Sequence, residues 1–399
     1  MLRFLTAGES HGPQLTVIVD GLPAGLELTS EAIDAHMHRR QLGHGRSERQ
    51  KMETDHAELV GGVRGGVTLG SPVALVIANR VWDHWQDRMH VEPGDTGAKV
   101  TAVRPGHADL AGALKYEHDD VRNILERSSA RETAARVAAG TVCRALLTQF
   151  DVTIHSHTLA LGLVRAPGLP AGLLVRAATD DRESLARFWR GVEDSPVRCT
   201  DAEAGAAMVE AIDGAKRDGN TLGGVSELVA YGLPVGIGSH TQWDRKLDGL
   251  LAGALMSIQS VKGVEIGPAF ENASMRGSEV HDVVGYQDGE WRRTTNRAGG
   301  LEGGITNGEP LLARIAVKPI STMRHALPSA DLVTGEQTPA HYERSDTAVV
   351  PAAGVVGEAM LSFVLAGALL EKCGGDSLAE VRRNYDAFVR QQRERMSRP

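Results

Sequence analysis

Gly21-Leu22-Pro23-Ala24-Gly25-Leu26 follows an apolar run at 15–19, and Gly232-Leu233-Pro234-Val235-Gly236-Ile237 follows another at 225–231. Further along, Gly65-Gly66-Val67-Thr68-Leu69-Gly70-Ser71-Pro72 precedes apolar residues 73–77, as Gly303-Gly304-Ile305-Thr306-Asn307-Gly308-Glu309-Pro310 precedes 311–317. Gly/Pro turn grammar can produce either match alone by chance. Two motifs recurring in the same order point instead to internal pseudo-symmetry. The spacing is long for a solenoid, so two similar antiparallel layers sharing one core are expected.

Between and after these layers the apolar period becomes helical. The stretch 131–150 is rich in Ala, carries Val137, Val142, Leu146 and Leu147 on one face, and opens on Ser129-Ala130-Arg131-Glu132, the SxxE pattern of a capping box. Residues 247–261 and 354–370 read as helices apolar nearly all round, which must be buried. The predicted fold class is therefore α+β, a β-α-β sandwich with central helices between two similar antiparallel sheets. A doubly wound parallel sheet would need strands and helices alternating throughout. Residues 1–399 read as a single domain, with the charged stretch 378–399 a surface helix and frayed tail.

Composition sets limits on function. With 399 residues, 42% apolar and 24% charged, the chain is ordinary globular protein. Its net charge of -8 argues against a general nucleic-acid or membrane-surface binder, either of which needs a basic balance. Cys143, Cys199 and Cys373 are an odd, scattered set without CxxC or His companions, so neither a disulfide framework nor a metal is expected. No signal-peptide pattern opens the chain, and the longest apolar run, 359–370, is too short to span a bilayer. A reduced, cytoplasmic protein is the expectation.

Chemistry-bearing residues gather in six places. Ala7-Gly8-Glu9-Ser10-His11-Gly12 sets an imidazole between two glycines on a turn beside the first apolar strand. The stretch 37–51 holds Arg39, Arg40, Arg46, Arg49 and Lys51 against a single Glu48, with Gly43 and Gly45 as hinges; it reads equally as a solvated loop or an anion-binding lid. Arg104-Pro105-Gly106-His107-Ala108-Asp109 carries a second histidine after a rigid turn, a position also common for surface histidines. Arg127-Ser128-Ser129-Ala130-Arg131 lies at a helix start, suited to anions, although Ser129 and Glu132 would also serve there as caps alone. Lys318-Pro319-Ile320-Ser321-Thr322 leaves a strand as a phosphate cradle or a plain turn. Arg344-Ser345-Asp346 precedes the last apolar helix, where Asp346 also reads as a simple partner of Arg344.

Together these segments resemble the chorismate synthase family over essentially the whole chain. The resemblance rests on Gly8 to Gly12 with Val19-Asp20-Gly21-Leu22-Pro23; on Glu126-Arg127-Ser128-Ser129-Ala130-Arg131-Glu132-Thr133-Ala134 with Val137-Ala138-Ala139-Gly140; and on Arg344-Ser345-Asp346 with Pro351-Ala352-Ala353 and Glu358. Arg104 to Asp109 and Gly299-Gly300-Leu301-Glu302-Gly303-Gly304 are similar to that family too; the weakly patterned 159–203 carries none of these motifs.

The resemblance implies a lyase converting 5-enolpyruvylshikimate 3-phosphate to chorismate by 1,4-anti elimination, dependent on reduced FMN without net redox change. It implies His11 at the leaving phosphate, His107 beside the flavin pyrimidine, and Asp346 helping to take the C6 hydrogen. Substrate contacts implied are Ser10, Arg40, Arg46, Arg104, Ser129, Arg131 and Arg344. FMN contacts implied are Arg127, Ser128, Ser129, Gln259, Ser260, Gly303, Lys318, Pro319, Ile320, Ser321, Thr322 and Arg344, with Arg40 and Arg46 also facing a nicotinamide cofactor. A homotetramer is implied as well.

NADPH is a possible source of reductant. No GxGxxG follows a strand, so a separate flavin reductase is the expected partner. Two rival classes stand beside the lyase. An FMN-dependent oxidoreductase would use the same flavin site. A non-catalytic phospholigand-binding or RNA-binding protein would use the arginine loop, although aromatics at 4% supply no stacking platform for RNA.

Overall fold

The computed structural model describes residues 1–47, 54–287 and 289–397. The amino-terminal strands are β1 (Arg3–Ala7), β2 (Gln14–Asp20), β3 (Glu58–Gly61), β4 (Val63–Arg64), β5 (Val67–Thr68) and β6 (Val73–Ala78). Four of them form an antiparallel sheet ordered β1-β2-β6-β3, and β4 pairs with β5 as a small hairpin. Leu15, Val17 and Val19 alternate into the core along β2, as a half-buried strand requires.

The later strands are β7 (Thr153–Leu161), β8 (Val164–Arg165), β9 (Gly224–Tyr231), β10 (Val261–Ile266), β11 (Val284–Gln287), β12 (Glu290–Arg293), β13 (Leu301–Glu302), β14 (Ile305–Thr306) and β15 (Leu311–Val317). The second sheet runs β10-β15-β9-β7-β8. Strand for strand, β7-β9-β15-β10 repeats β1-β2-β6-β3, with β13 and β14 standing for β4 and β5.

The two turn motifs close against each other identically in each half. Thr68 Oγ1 accepts from Leu26 N at 2.9 Å and donates to Pro23 O at 2.7 Å, while its backbone oxygen accepts from Gly25 N. Thr306 Oγ1 accepts from Ile237 N at 2.9 Å and donates to Pro234 O at 2.6 Å, and its backbone oxygen accepts from Gly236 N. Gly25 and Gly236 take φ of 91° and 92°, where a side chain would be strained. The pseudo-symmetry expected from the turns is thus built in backbone and side-chain bonds alike.

The longer helices are α1 (Ser30–Gln41), α2 (Asp109–Tyr116), α3 (Arg122–Ser128), α4 (Thr133–Thr148), α5 (Arg182–Asp194), α6 (Ala202–Arg217), α7 (Leu247–Met256), α8 (Val350–Cys373) and α9 (Leu378–Met396). Helix α4 packs on β2, α8 packs on β7 and β9, and the two pack along each other between the sheets. A Cβ at Gly140 would stand 2.4 Å from the Cβ of Ala359, so the close approach of α4 and α8 requires glycine there. The expected layering, central helices between two similar sheets, is the one observed.

Three helical expectations need correction. The capping box does not form: Ser129 Oγ accepts from Arg131 N at a short 3-10 turn, and Glu132 turns instead to Arg136, Gln259 and Thr6. The helix predicted over 247–261 ends at Met256, since Val261 already begins β10; Leu250 and Met256 stand exposed, so only the Leu247, Leu251 and Leu255 face is buried. The apolar run 359–370 sits inside a 24-residue helix that is long and apolar enough to cross a membrane. That helix is the core of the protein, 83% buried along its most apolar window. Midway along it, Glu358 is buried in ion pairs with Arg39, Arg144 and Arg198.

Segment 159–203 covers the outer face of the second sheet: Leu185, Trp189 and Val192 of α5 pack on Val229, Tyr231 and Leu312. Helix α9 is the expected surface helix, with Val381 its buried residue. It lies across both repeated turns, Leu378 beside Gly25 and Phe388 beside Gly236. Residues 398–399 of the expected frayed tail lie outside the described residues.

Candidate functional site

A cavity of about 560 Å³ opens where equivalent connections of the two halves meet. The first half supplies the β1–β2 turn, the chain after α1, and the crossover from β6 to α4. The second supplies the chain after α7 and the crossover from β15 to α8. Glu126-Arg127-Ser128 and Glu343-Arg344-Ser345 occupy matching places, each triplet beginning seven residues before its long helix starts at Thr133 or Val350. The site is a seam between repeats.

At one end lies His11. Its backbone N donates to Glu126 Oε2 at 2.7 Å, and its Nδ1 lies 2.8 and 3.0 Å from the two carboxylate oxygens. Burial pushes the Glu126 carboxyl up, but the hydrogen bond and charge of His11, with help from Arg122, outweigh it and hold the group below its ordinary range. The Trp85 ring stacks on the imidazole at 3.9 Å, and the Arg122 guanidinium lies 5.1 Å from the centroid of the Trp85 ring. Ser10 and Ser129 join through their hydroxyls at 3.2 Å beside it.

Behind this end, Asp55 bridges two arginines: Arg40 Nη2 donates at 2.6 Å and Arg131 Nη1 at 2.5 Å. Burial pushes the Asp55 carboxyl up, yet the paired guanidinium charges hold it low. Burial also pulls Arg40 below its usual value, despite Asp55. Asn79 accepts from Arg131 Nε at 3.0 Å and donates to Gly12 O at 2.6 Å, tying that arginine to the histidine turn. Arg40 Nε and Arg46 Nε are buried without a hydrogen-bond partner among the described residues. Buried donors of that kind are open to an acceptor that the described residues do not supply.

His107 is held in the same manner as His11. Its Nδ1 lies 2.5 Å from Asp109 Oδ1, and Asp109 also receives Arg104 Nε at 2.8 Å and Nη2 at 3.1 Å. Burial pushes Asp109 up, but His107 and Arg104 drive it strongly the other way. Arg104 Nη1 reaches Thr322 Oγ1 at 3.1 Å, linking the halves. Lys318 Nζ donates to Ser321 Oγ at 2.9 Å, and Ser321 Oγ donates to Gly106 O at 2.8 Å. Burial, with Lys262 nearby, pulls the Lys318 ammonium down.

Asp346 faces the cavity as a fixed carboxylate, its Oδ2 2.8 Å from Arg46 Nη1 and its Oδ1 accepting from Ser47 N at 2.6 Å. Across the cavity, Gln259 Nε2 donates to Glu132 while its buried Oε1 has no partner among the described residues. Next to it Ser260 adopts φ of 68°, a left-handed conformation that a serine holds only where its surroundings impose it. A ring carrying N–H donors, such as an isoalloxazine, would satisfy Gln259 Oε1.

The cavity wall therefore brings together Ser10, His11, Arg40, Arg46, Arg104, His107, Ser128, Ser129, Arg131, Gln259, Ser260, Lys318, Ile320, Ser321, Thr322, Arg344 and Asp346. Three expected contacts are not on it. Arg127 turns out to the edge of β1, donating to Thr6 O at 2.8 Å and Gly8 O at 3.2 Å. Gly303 sits in the β13–β14 turn beside His240, and Pro319 is the one residue of its run absent from the wall. The basic stretch is not all loop: Arg39 and Arg40 end α1, and Arg39 turns inward to Glu193 and Glu358. Glu48, Arg49 and Lys51 lie outside the described residues.

Sequence reading missed the supporting shell of Glu126, Asp55, Asn79, Trp85 and Arg122. Glu126 stands inside a quoted motif, so its carboxylate four residues after Arg122 was a usable signal. Asp55 and Asn79 carry no local pattern at all.

The family model described as chorismate synthase matches residues 2–370. A chorismate synthase of Desulforudis audaxviator is 54% identical over 395 residues, covering 98% of this chain and 97% of that protein. One of Moorella thermoacetica is 54% identical over 390 residues, covering 97% and 98%. A crystal structure of chorismate synthase superposes with a TM-score of 0.78 at 42% identity, covering 98% of both chains.

Proposed function

Because this chain belongs to the chorismate synthase family, lyases of the shikimate pathway and aromatic amino-acid biosynthesis, we propose that it converts 5-enolpyruvylshikimate 3-phosphate to chorismate, expelling phosphate from C3 and a hydrogen from C6. One observation carries this reading: His11, His107 and Asp346 share a single cavity with Arg40, Arg46, Arg104, Arg131 and Arg344. A trianionic substrate needs such a wall, and bidentate guanidinium groups suit its carboxylates and phosphate.

The residues divide the work by position. With Nδ1 committed to Glu126, His11 serves the leaving phosphate through Nε2, as an imidazolium that neutralises or protonates it. The buried Arg40 and Arg46 Nε donors anchor anionic oxygens in a site where few waters compete. Asp346, held in place by Arg46 and the Ser47 amide, is the carboxylate placed to receive the C6 proton. The chain after α1, carrying Arg46 and Ser47, closes that side of the cavity.

Ser128, Ser129, Gln259, Ser260, the Lys318 to Thr322 run and Arg344 would hold reduced FMN, with His107 at its pyrimidine edge. When bound, reduced FMN would supply transient electron density to the allylic system and recover it, so that no net redox change results. A separate reductase would deliver it, with Arg40 and Arg46 able to meet a nicotinamide dinucleotide. We place the chain in the cytoplasm as a homotetramer. Free Cys143, Cys199 and Cys373 suit a reducing compartment, and Leu5 and Ile18, exposed cross-strand neighbours on the first sheet, offer an apolar face for association.

The test is anaerobic mixing of substrate with protein and photoreduced FMN, following chorismate and phosphate together. Equimolar release without consumption of reductant is expected. Reductant consumed in step with product would favour an FMN-dependent oxidoreductase, and binding without turnover would favour a phospholigand-binding protein.

A further inference from the structure

A second, smaller chamber of about 200 Å³ adjoins the reaction cavity on the far side of the Arg46–Asp346 pair. It is the counterpart, in the second half, of the His11 end of the site. Each half brings the stretch entering its second strand against the stretch leading into its long helix. In the first half Ser10 N donates to Glu126 O; in the second the bond is shifted, one residue on in the strand entry and four on in the crossover, and Leu222 N donates to Thr347 O. Counting from the repeated GLP turns, Thr221 stands where Ser10 does, and Leu222 stands where His11 does. The duplicate niche has lost the imidazole and kept a basic wall.

Lys216, Arg324 and Arg344 line the chamber and form no ion pair among the described residues. Asp346 is the carboxylate on that wall, and it is already taken by Arg46 and Ser47 N. Asn220 Oδ1 accepts from Thr221 N at 2.8 Å, which leaves its Nδ2 as a donor. Three cations and an amide donor with one neutralised carboxylate make a site for an anion. The volume falls short of the roughly 300–1,000 Å³ usual for ring-sized ligands but admits a tetrahedral oxyanion with a few waters.

We propose that this chamber is an oxyanion site that takes a phosphate-sized dianion, set beside the reaction cavity and sharing Arg344, Thr322 and the Arg46–Asp346 wall with it. Calorimetric titration of the full chain with inorganic phosphate tests it without reading turnover, so its failure would leave the assigned reaction standing. The parent should show two classes of phosphate site. Lys216→Ala/Arg324→Ala should weaken one class by at least about tenfold, while Arg131→Ala weakens the other. Both replaced side chains are exposed, so the fold should hold; the single Arg324→Gln variant gives the same reading at smaller amplitude. Two classes unchanged in these variants, or a parent with only the class removed by Arg131→Ala, would overturn the proposal.

Discussion

His11 and Glu126 are joined three times, through the histidine backbone N at 2.7 Å and through Nδ1 to both carboxylate oxygens at 2.8 and 3.0 Å. The carboxylate thereby fixes the turn and the ring together. Glu126→Gln keeps the shape but removes the countercharge of an imidazolium. Turnover should fall by roughly 10- to 100-fold with the KM for substrate within about twofold, because the acid and not the anion wall is disturbed. Steady-state kinetics under anaerobic conditions read this split; a purely structural role would move KM and the melting temperature together.

His11→Ala or Asp346→Ala should lower turnover by on the order of 10² or more while FMN still binds. Flavin titration beside single-turnover rates checks both halves of that statement. Near-parental rates with supplied reduced flavin would remove these residues from the chemistry.

Arg46→Ala should act on capture. Each lost charged hydrogen bond costs about 1.5–3 kcal/mol, so the substrate dissociation constant should rise by at least about tenfold. The variant also releases Asp346, so some loss of turnover should accompany the weaker binding. An unchanged dissociation constant would make the chain after α1 ordinary surface.

Acid should unfold the protein through its buried carboxylates. At Glu343, burial pushes the group up, but the His341 hydrogen bond and the Arg122 charge outweigh it and hold the carboxyl down to about 2. Asp55, Glu126 and Glu358 are likewise held low by their arginine or histidine partners. For each, the folded value lies below the unfolded one, so the stabilisation is complete above the unfolded value and disappears as pH falls through the folded one. The melting temperature should therefore decline from about pH 4.5 downwards, and Glu343→Gln should make that decline shallower.

Thr68→Val and Thr306→Val should destabilise the fold by similar amounts. Each removes a hydroxyl that satisfies one amide and one carbonyl in a buried turn. Groups left unpaired there cost roughly 1–3 kcal/mol. Urea unfolding of the two variants should give matching losses; a large inequality would mean the turns carry different loads.

The fold was legible in the chain because its determinants are local. The Gly-Leu-Pro and Gly-Gly turns name the strand ends, and period-2 runs such as Leu15, Val17 and Val19 name the buried face. Helix ends were less so: Glu132 satisfies the capping pattern locally, but the tertiary partners Arg136 and Gln259 claim it. The helix was expected over 354–370, but the apolar run counted for a membrane span stopped at 359 because Glu358 interrupts it, and only partners distant in sequence, Arg39, Arg144 and Arg198, make that charge tolerable inside. At the site, side chains that face the cavity carried motifs, whereas Asp55 and Asn79, which hold them from behind, had no pattern to betray them.

The placement of α8 also sets when the protein can begin to work. Until the ribosome has released residues 350–373, α4 has no cover on the side where Gly140 meets Ala359, and Arg344 and Asp346 have only just been made. The amino-terminal sheet can assemble early, but its helix must wait, half wetted, for nearly the whole chain. Newly made molecules should thus depend on chaperone shelter through most of synthesis and acquire competence in one late step.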